Sequence, residues 1–161
     1  MALRQIFKTQ LTDVDTSARD VVGSLRWEND ILYKYVKLAN VTATVAGVAG
    51  DPVAYKATYA AGIAVHTVVL DLTDADAQPI CAGFLMGTVT GTLATAYYCW
   101  IQLTGPVVVP TAIGGAPVIG SGVMLDTTDK TLTKVTGVIY PIGVSNSTTA
   151  ANNTIIAKCP Y

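Results

Sequence analysis

Charge is what this chain has least of. Asp, Glu, Lys and Arg make up 13% of its 161 residues, against roughly 25% in an ordinary soluble domain. No Lys or Arg occurs from Ala57 to Asp129. With a formal net charge of −1, the counterion-release term that drives nucleic-acid binding is weak, so no direct nucleic-acid partner is expected. Histidine is almost absent as well: His66 stands alone in an apolar run. A general base or metal ligand needs partners, and no G-x-S-x-G elbow accompanies it, so His66 reads as structural. Cysteine is scarce and odd in number: Cys81, Cys99 and Cys159 are too far apart for a C-x-x-C pair. That count argues against a disulfide framework and leaves buried, inert thiols as the reading.

Long apolar runs are missing too. No segment approaches the roughly 18 uninterrupted apolar residues of a membrane-spanning helix. The opening residues lack the apolar core of a secretory leader, so neither membrane nor export is expected. Gly114-Gly115 and Gly120-Ser-Gly122 fit neither phosphate-binding glycine pattern. Asp71, Asp74 and Asp76 could offer oxygen ligands, but EF-hand spacing and its distal Glu are absent. No enzyme activity, no cofactor and no metal is expected.

What remains is apolar and β-forming. The chain is 51% hydrophobic, which leaves a surface of Thr, Ser, Asn, Gly and small apolar residues; such surfaces are commonly covered in assemblies. Val22–Trp27 and Ile31–Leu38 flank the turn cluster Glu28-Asn29-Asp30, a hairpin signature. In the second run Ile31, Tyr33 and Tyr35 share one face and Leu32, Val36 and Leu38 share the other with Lys34. One face is expected on the core, the other on a neighbour or on the N-terminal arm. Further strands are predicted at 64–70, 81–90, 97–103, 107–109, 122–125, 131–140, 142–144 and 154–158. Between them lie a turn at Gly105-Pro106 and a hairpin turn at Asp126–Lys130, with one helical turn capped at Thr73 or Asp74 and stopped by Pro79. Residues 41–62 read as short strands and loops. The fold class is all-β, a β-barrel or β-sandwich of many short strands, periodicity not separating the two. Residues 1–20 lack a period and carry six of the chain's charges in mixed sign (Arg4, Lys8, Asp13, Asp15, Arg19, Asp20). They read as an extended arm, with residues 21–161 as the body.

Two segments are less generic. Gly23-Ser-Leu-Arg-Trp-Glu-Asn-Asp-Ile-Leu-Tyr-Lys-Tyr-Val-Lys37 resembles the early hairpin of capsid decoration (cement, or head-stabilising) proteins of tailed bacteriophages. Ala96-Tyr-Tyr-Cys-Trp-Ile-Gln-Leu-Thr-Gly-Pro-Val107 is similar to their later strand and turn, and Gly122–Lys130 and Ile142-Gly-Val144 follow in the same order. The resemblance implies a protein that trimerises on the outer surface of an icosahedral head. It would cement neighbouring major capsid subunits, being made in the host cytoplasm and retained on the virion. The arm, through Arg4, Ile6, Phe7, Lys8 and Leu11, would contact the major capsid protein by adding a strand to a sheet edge. Trp27, Tyr97, Tyr98 and Trp100 are the trimer-interface candidates, since aromatics dominate interface cores. On that reading, deleting residues 2–18 removes capsid occupancy and spares the trimer. The alternatives are another virion component, such as a tail, fibre-base or small coat protein, or a carbohydrate-binding β module using the Tyr97–Gln102 region.

Overall fold

The computed structural model describes residues 7–39, 44–58, 62–73, 77–91, 95–135, 141–146 and 154–159. Within them the backbone forms β-strands and no helix. The strands are β1 Val14–Asp15, β2 Leu25–Glu28, β3 Ile31–Leu38, β4 Pro52–Thr58, β5 Gly62–Val69 and β6 Ala77–Leu85. They continue as β7 Tyr97–Gln102, β8 Thr104–Val108, β9 Gly122–Leu125, β10 Leu132–Lys134, β11 Gly143–Ser145 and β12 Thr154–Lys158.

The β2–β3 hairpin turns on two residues. Asn29 and Asp30 have φ of 50° and 62°, the left-handed pair a type I′ turn requires and one that Asn and Asp tolerate. From this hairpin a barrel closes in the order β3-β7-β6-β4-β5 and back to β3. Strands around a closed ring of five cannot all alternate in direction, so at least one neighbouring pair must run parallel. Here that seam is β3 with β5, at Lys37↔Thr67 and Leu38↔Val68; the other barrel pairs are antiparallel. The barrel reading is therefore the one the structure adopts. β2 continues the wall beside β3, and β1 adds a short strand to β7.

A second, antiparallel sheet, β10-β9-β11-β12-β8, leans on the barrel. Only Leu103 separates β7 from β8, so the chain passes straight from one sheet into the other. Gly105 and Pro106, expected to make a turn, lie inside β8, where Gly105 takes φ +90°. Because β8 is an edge strand, a proline without an N–H donor is tolerated there. Of the helical turn expected before Pro79, residues 74–76 lie outside the described residues; β6 has begun by Ala77, and Pro79 falls where the β4–β6 register shifts between Ala54 and Lys56. Such irregular pairing is where a sheet accepts proline.

One apolar core joins the two sheets. Leu32, Val36 and Leu38 from β3, Cys99 and Ile101 from β7, and Phe84 from β6 meet Val107, Val123, Leu132 and Ile155 of the second sheet. The turn before β4 closes tightly over β8. Gly50 has φ +91°, and a Cβ there would stand 2.1 Å from the Val108 carbonyl oxygen. Gly50→Ala is therefore expected to cost about 2 kcal/mol or more, from left-handed strain plus displacement of β8. Chemical denaturation of the variant measures it; a cost below the strain alone would show that β8 yields freely.

Candidate partner-binding surfaces

The outward face of β3 and β7 is aromatic and is covered by the chain's own N-terminal segment. Tyr33, Tyr35 and Trp100 form a second buried cluster, with Phe7, Leu11, Val22, Ile31, Met86 and Tyr98 packed against it. The Phe7 ring meets Trp100 edge-on at 5.2 Å between centroids, and Tyr35 lies 5.2 Å from Trp100 on its other side. Trp100 Nε1 donates to Thr9 Oγ1 at 2.8 Å, and the Thr9 hydroxyl donates in turn to Asp20. Lys8 N donates to Asp20 Oδ1 at 3.1 Å. Arg26, reaching from β2, donates to Thr9 O at 3.1 Å and places its guanidinium 5.4 Å from the Phe7 ring centre. Its other nitrogen pairs with Glu28 Oε2 at 2.7 Å. Arg26 thus latches the segment onto the barrel, and an open groove of about 580 Å³ lies between the latch and residues 7–12.

The five residues proposed for capsid contact fall in different places. Arg4 and Ile6 lie outside the described residues. Phe7 and Leu11 are used on the barrel's own aromatic face, and only Lys8 is exposed. Within this segment Val14–Asp15 pair, as β1, with β7 of the same chain. Deleting residues 2–18 would therefore uncover Tyr33, Tyr35 and Trp100, so that truncation does not separate partner binding from folding.

The aromatic interface candidates divide likewise. Trp100 is fully buried. Tyr98 is half-buried against the aromatic cluster, and Tyr97 is held by its hydroxyl donating to Thr90 O at 2.8 Å. They form no exposed aromatic row of the kind a sugar platform needs. Trp27 differs. It is 64% exposed, and Leu25, on the same face of β2, is 45% exposed. Among the described residues β2 pairs only with β3, so an apolar face and a strand edge with no described partner coincide there.

A second apolar surface, not anticipated from the sequence, lies on the outside of the second sheet, with Lys158 at its margin. Val144 pairs across to Ile156, and Ile156 to Pro106; Val108 stands farther along the same strand as Pro106. Val108 is 67% exposed, and Val144 and Ile156 are also open to solvent. The alternation of β12 carried the signal: Ile155 and Ala157 enter the core, which leaves Ile156 outside.

Of the polar residues weighed for a reactive site, His66 lies at the surface and Asp71 is held in a loop. His66 is exposed, and its ring lies against Gly23, where a Cβ would stand 2.7 Å from Cε1. Asp71 Oδ1 accepts from Thr73 N and Oγ1, and Asp129 Oδ1 accepts from Leu72 N at 2.6 Å, tying this loop to the β9–β10 hairpin. Asp74 and Asp76 lie outside the described residues. Among the described residues no group of three or more His, Cys, Asp or Glu is placed to hold a metal ion.

Inside the barrel Lys34 is buried beside Tyr55, its Nζ donating to the phenol oxygen at 3.3 Å. Burial pulls the Lys34 amine below its ordinary range and pushes the Tyr55 hydroxyl up to about 12. Burial alone pushes Cys99 up to about 12.

No family model, no curated protein and no solved structure matches the chain.

Proposed function

We propose that this protein is a structural component of a phage virion, a decoration protein that cements major capsid subunits on the outside of an icosahedral head as a trimer. The observation that carries the reading is a pair of exposed apolar patches among the described residues: the Leu25–Trp27 edge of β2 and the Pro106, Val108, Val144 and Ile156 face of the second sheet. Exposed apolar surface of this kind is used in association, and two such surfaces allow a protein to hold its own copies and a shell together. In a lattice, many modest contacts of this sort act jointly through effective concentration. The resemblance to decoration proteins supports the reading too. Its two main segments, the β2–β3 hairpin and β7, lie side by side in the barrel wall along the ladder from Tyr33↔Gln102 to Leu38↔Tyr97.

The arm's role changes on this reading. Residues 7–20 brace the barrel, and the apolar surfaces take over the contacts with partners. Trp27→Asp is the test. Because Trp27 is largely exposed, the variant is expected to fold within about 0.5 kcal/mol of the parent while losing self-association or occupancy on undecorated heads. Light scattering after size exclusion, with and without heads, reads both. A parent protein that stays monomeric and ignores heads would overturn the proposal.

A further inference from the structure

Two of the three cysteines meet, although 78 positions separate them. Cys81 lies on β6 in the barrel wall, and Cys159 follows β12 at the end of the second sheet. Both are buried. Their sulfurs are 3.7 Å apart, the Cys159 thiol directed at Cys81 Sγ, with the Ile142 carbonyl at 4.0 Å as a second acceptor. The Cys81 thiol is directed at the Gly83 carbonyl oxygen at 3.5 Å. Both thiols are in the reduced state. A disulfide needs about 2.0 Å between sulfurs, so closure brings the two sulfurs about 1.7 Å nearer than the 3.7 Å they stand apart.

We propose that Cys81 and Cys159 form a latent covalent staple between the barrel and the second sheet, closed by hydroperoxide. The Cys159 thiol gives up its proton, and its sulfur attacks one oxygen of hydrogen peroxide. The O–O bond breaks, hydroxide leaves and is protonated to water, and Cys159 becomes a sulfenic acid. The Cys81 sulfur then attacks that sulfur: the S–S bond forms, the S–O bond breaks, and a second water leaves with the proton from Cys81. Two thiols and one peroxide become one disulfide and two waters.

Cys159 reacts first because it lies outside the strand ladder, one residue past Lys158, whereas Cys81 sits within β6; positions at the edge of a strand open locally more readily than those inside one. Its hydrogen bond with Cys81 and then burial hold its thiol well above the ordinary range, so reaction waits for that opening and is slow. Once formed, the bond closes a long loop and holds β12, and with it the second sheet, against the barrel; long loops are those whose closure most restricts the unfolded chain. Cys99, on β7, has no such sulfur neighbour among the described residues and stays reduced.

Treatment of the purified protein with hydrogen peroxide, followed by alkylation of remaining thiols, tests this. The expected product has lost two hydrogens by intact mass, retains one alkylatable thiol, and yields a Cys81–Cys159 peptide pair on non-reducing digestion. Its thermal midpoint rises and returns on reduction. Cys99→Ser is expected to behave like the parent, whereas Cys81→Ser and Cys159→Ser form no internal bond. Three alkylatable thiols after prolonged exposure, a bond that includes Cys99, or only cross-links between molecules would each overturn the proposal. None of these readouts depends on capsid binding.

Discussion

Replacing Trp100 with alanine is expected to lower the unfolding free energy by about 3–5 kcal/mol, the cost of emptying a large buried aromatic site. Set against the roughly 5–15 kcal/mol of an ordinary domain, this brings the protein near its threshold. Trp100 has no exposed surface, and it touches two layers at once. Tyr35 lies beside it in the barrel wall, and Phe7 lies over it from the N-terminal segment. Its loss opens a cavity and also leaves the Thr9 hydroxyl without its indole donor. Residues 7–12 should loosen with it, and proteolysis near the N-terminus should quicken. The chain has two tryptophans, so fluorescence separates them. The parent carries a blue-shifted component from Trp100 and a solvent-exposed one from Trp27, and only the latter survives in Trp100→Ala. Denaturant titration of both proteins gives the free-energy difference. A variant as stable as the parent, with unchanged N-terminal protection, would mean that the segment is not packed on β7.

The second large effect is alkaline. Tyr55 ordinarily ionises near 10.0 and in the folded barrel is pushed up to about 12, by burial first and by the neighbouring Cys159 and Cys81 thiols second. A folded-state pKa raised in this way gives stability that is fully present below pH 10. Between 10 and 12 the unfolded chain releases the phenol proton and the folded chain keeps it. Stability therefore falls as pH rises through that window, by about 2–3 kcal/mol from this residue, at about 1.36 kcal/mol per pKa unit. Lys34 acts with the opposite sign. Its folded pKa lies below the ordinary 10.5, so in that interval the unfolded chain holds the extra proton and stability rises with pH. Cys99, raised from 9.0 to about 12, acts with the same sign as Tyr55 from pH 9 upward, so stability is expected to begin falling near pH 9 and to fall more steeply above pH 10. Tyr55→Phe should flatten the drop relative to the parent, and tyrosinate absorbance should show one late-titrating phenol fewer. Equal slopes in parent and variant between pH 10 and 12 would place the alkaline loss elsewhere.

The variants expected to be most and least disruptive both replace a tryptophan in a strand, and local sequence does not distinguish them. Trp27 sits in an alternating run and Trp100 in a nearly continuous apolar one. Either pattern says that one face of the strand is buried, but neither says whether the opposite face meets solvent, a partner or another part of the same chain. The third case holds for Tyr33, Tyr35 and Trp100, covered by residues 7–22, and the first for Trp27.

Short-range pattern determined much of the rest. Asn29-Asp30 between apolar runs specified the hairpin and its turn. The β-branched and aromatic runs marked β3, β5, β7, β9 and β12 to within a few residues, because period and turn chemistry act over neighbouring positions. The all-β class follows from the same runs. Tertiary structure alone decided what depends on distant pairing. It set the parallel β3–β5 seam that closes the ring, the use of Gly105-Pro106 inside an edge strand, the inward direction of Lys34 toward Tyr55, and the meeting of Cys81 with Cys159. In each case residues far apart along the chain are brought together by closure of the barrel and docking of the second sheet. The free energy that fixes them is shared across the whole core, so no short window of sequence contains it.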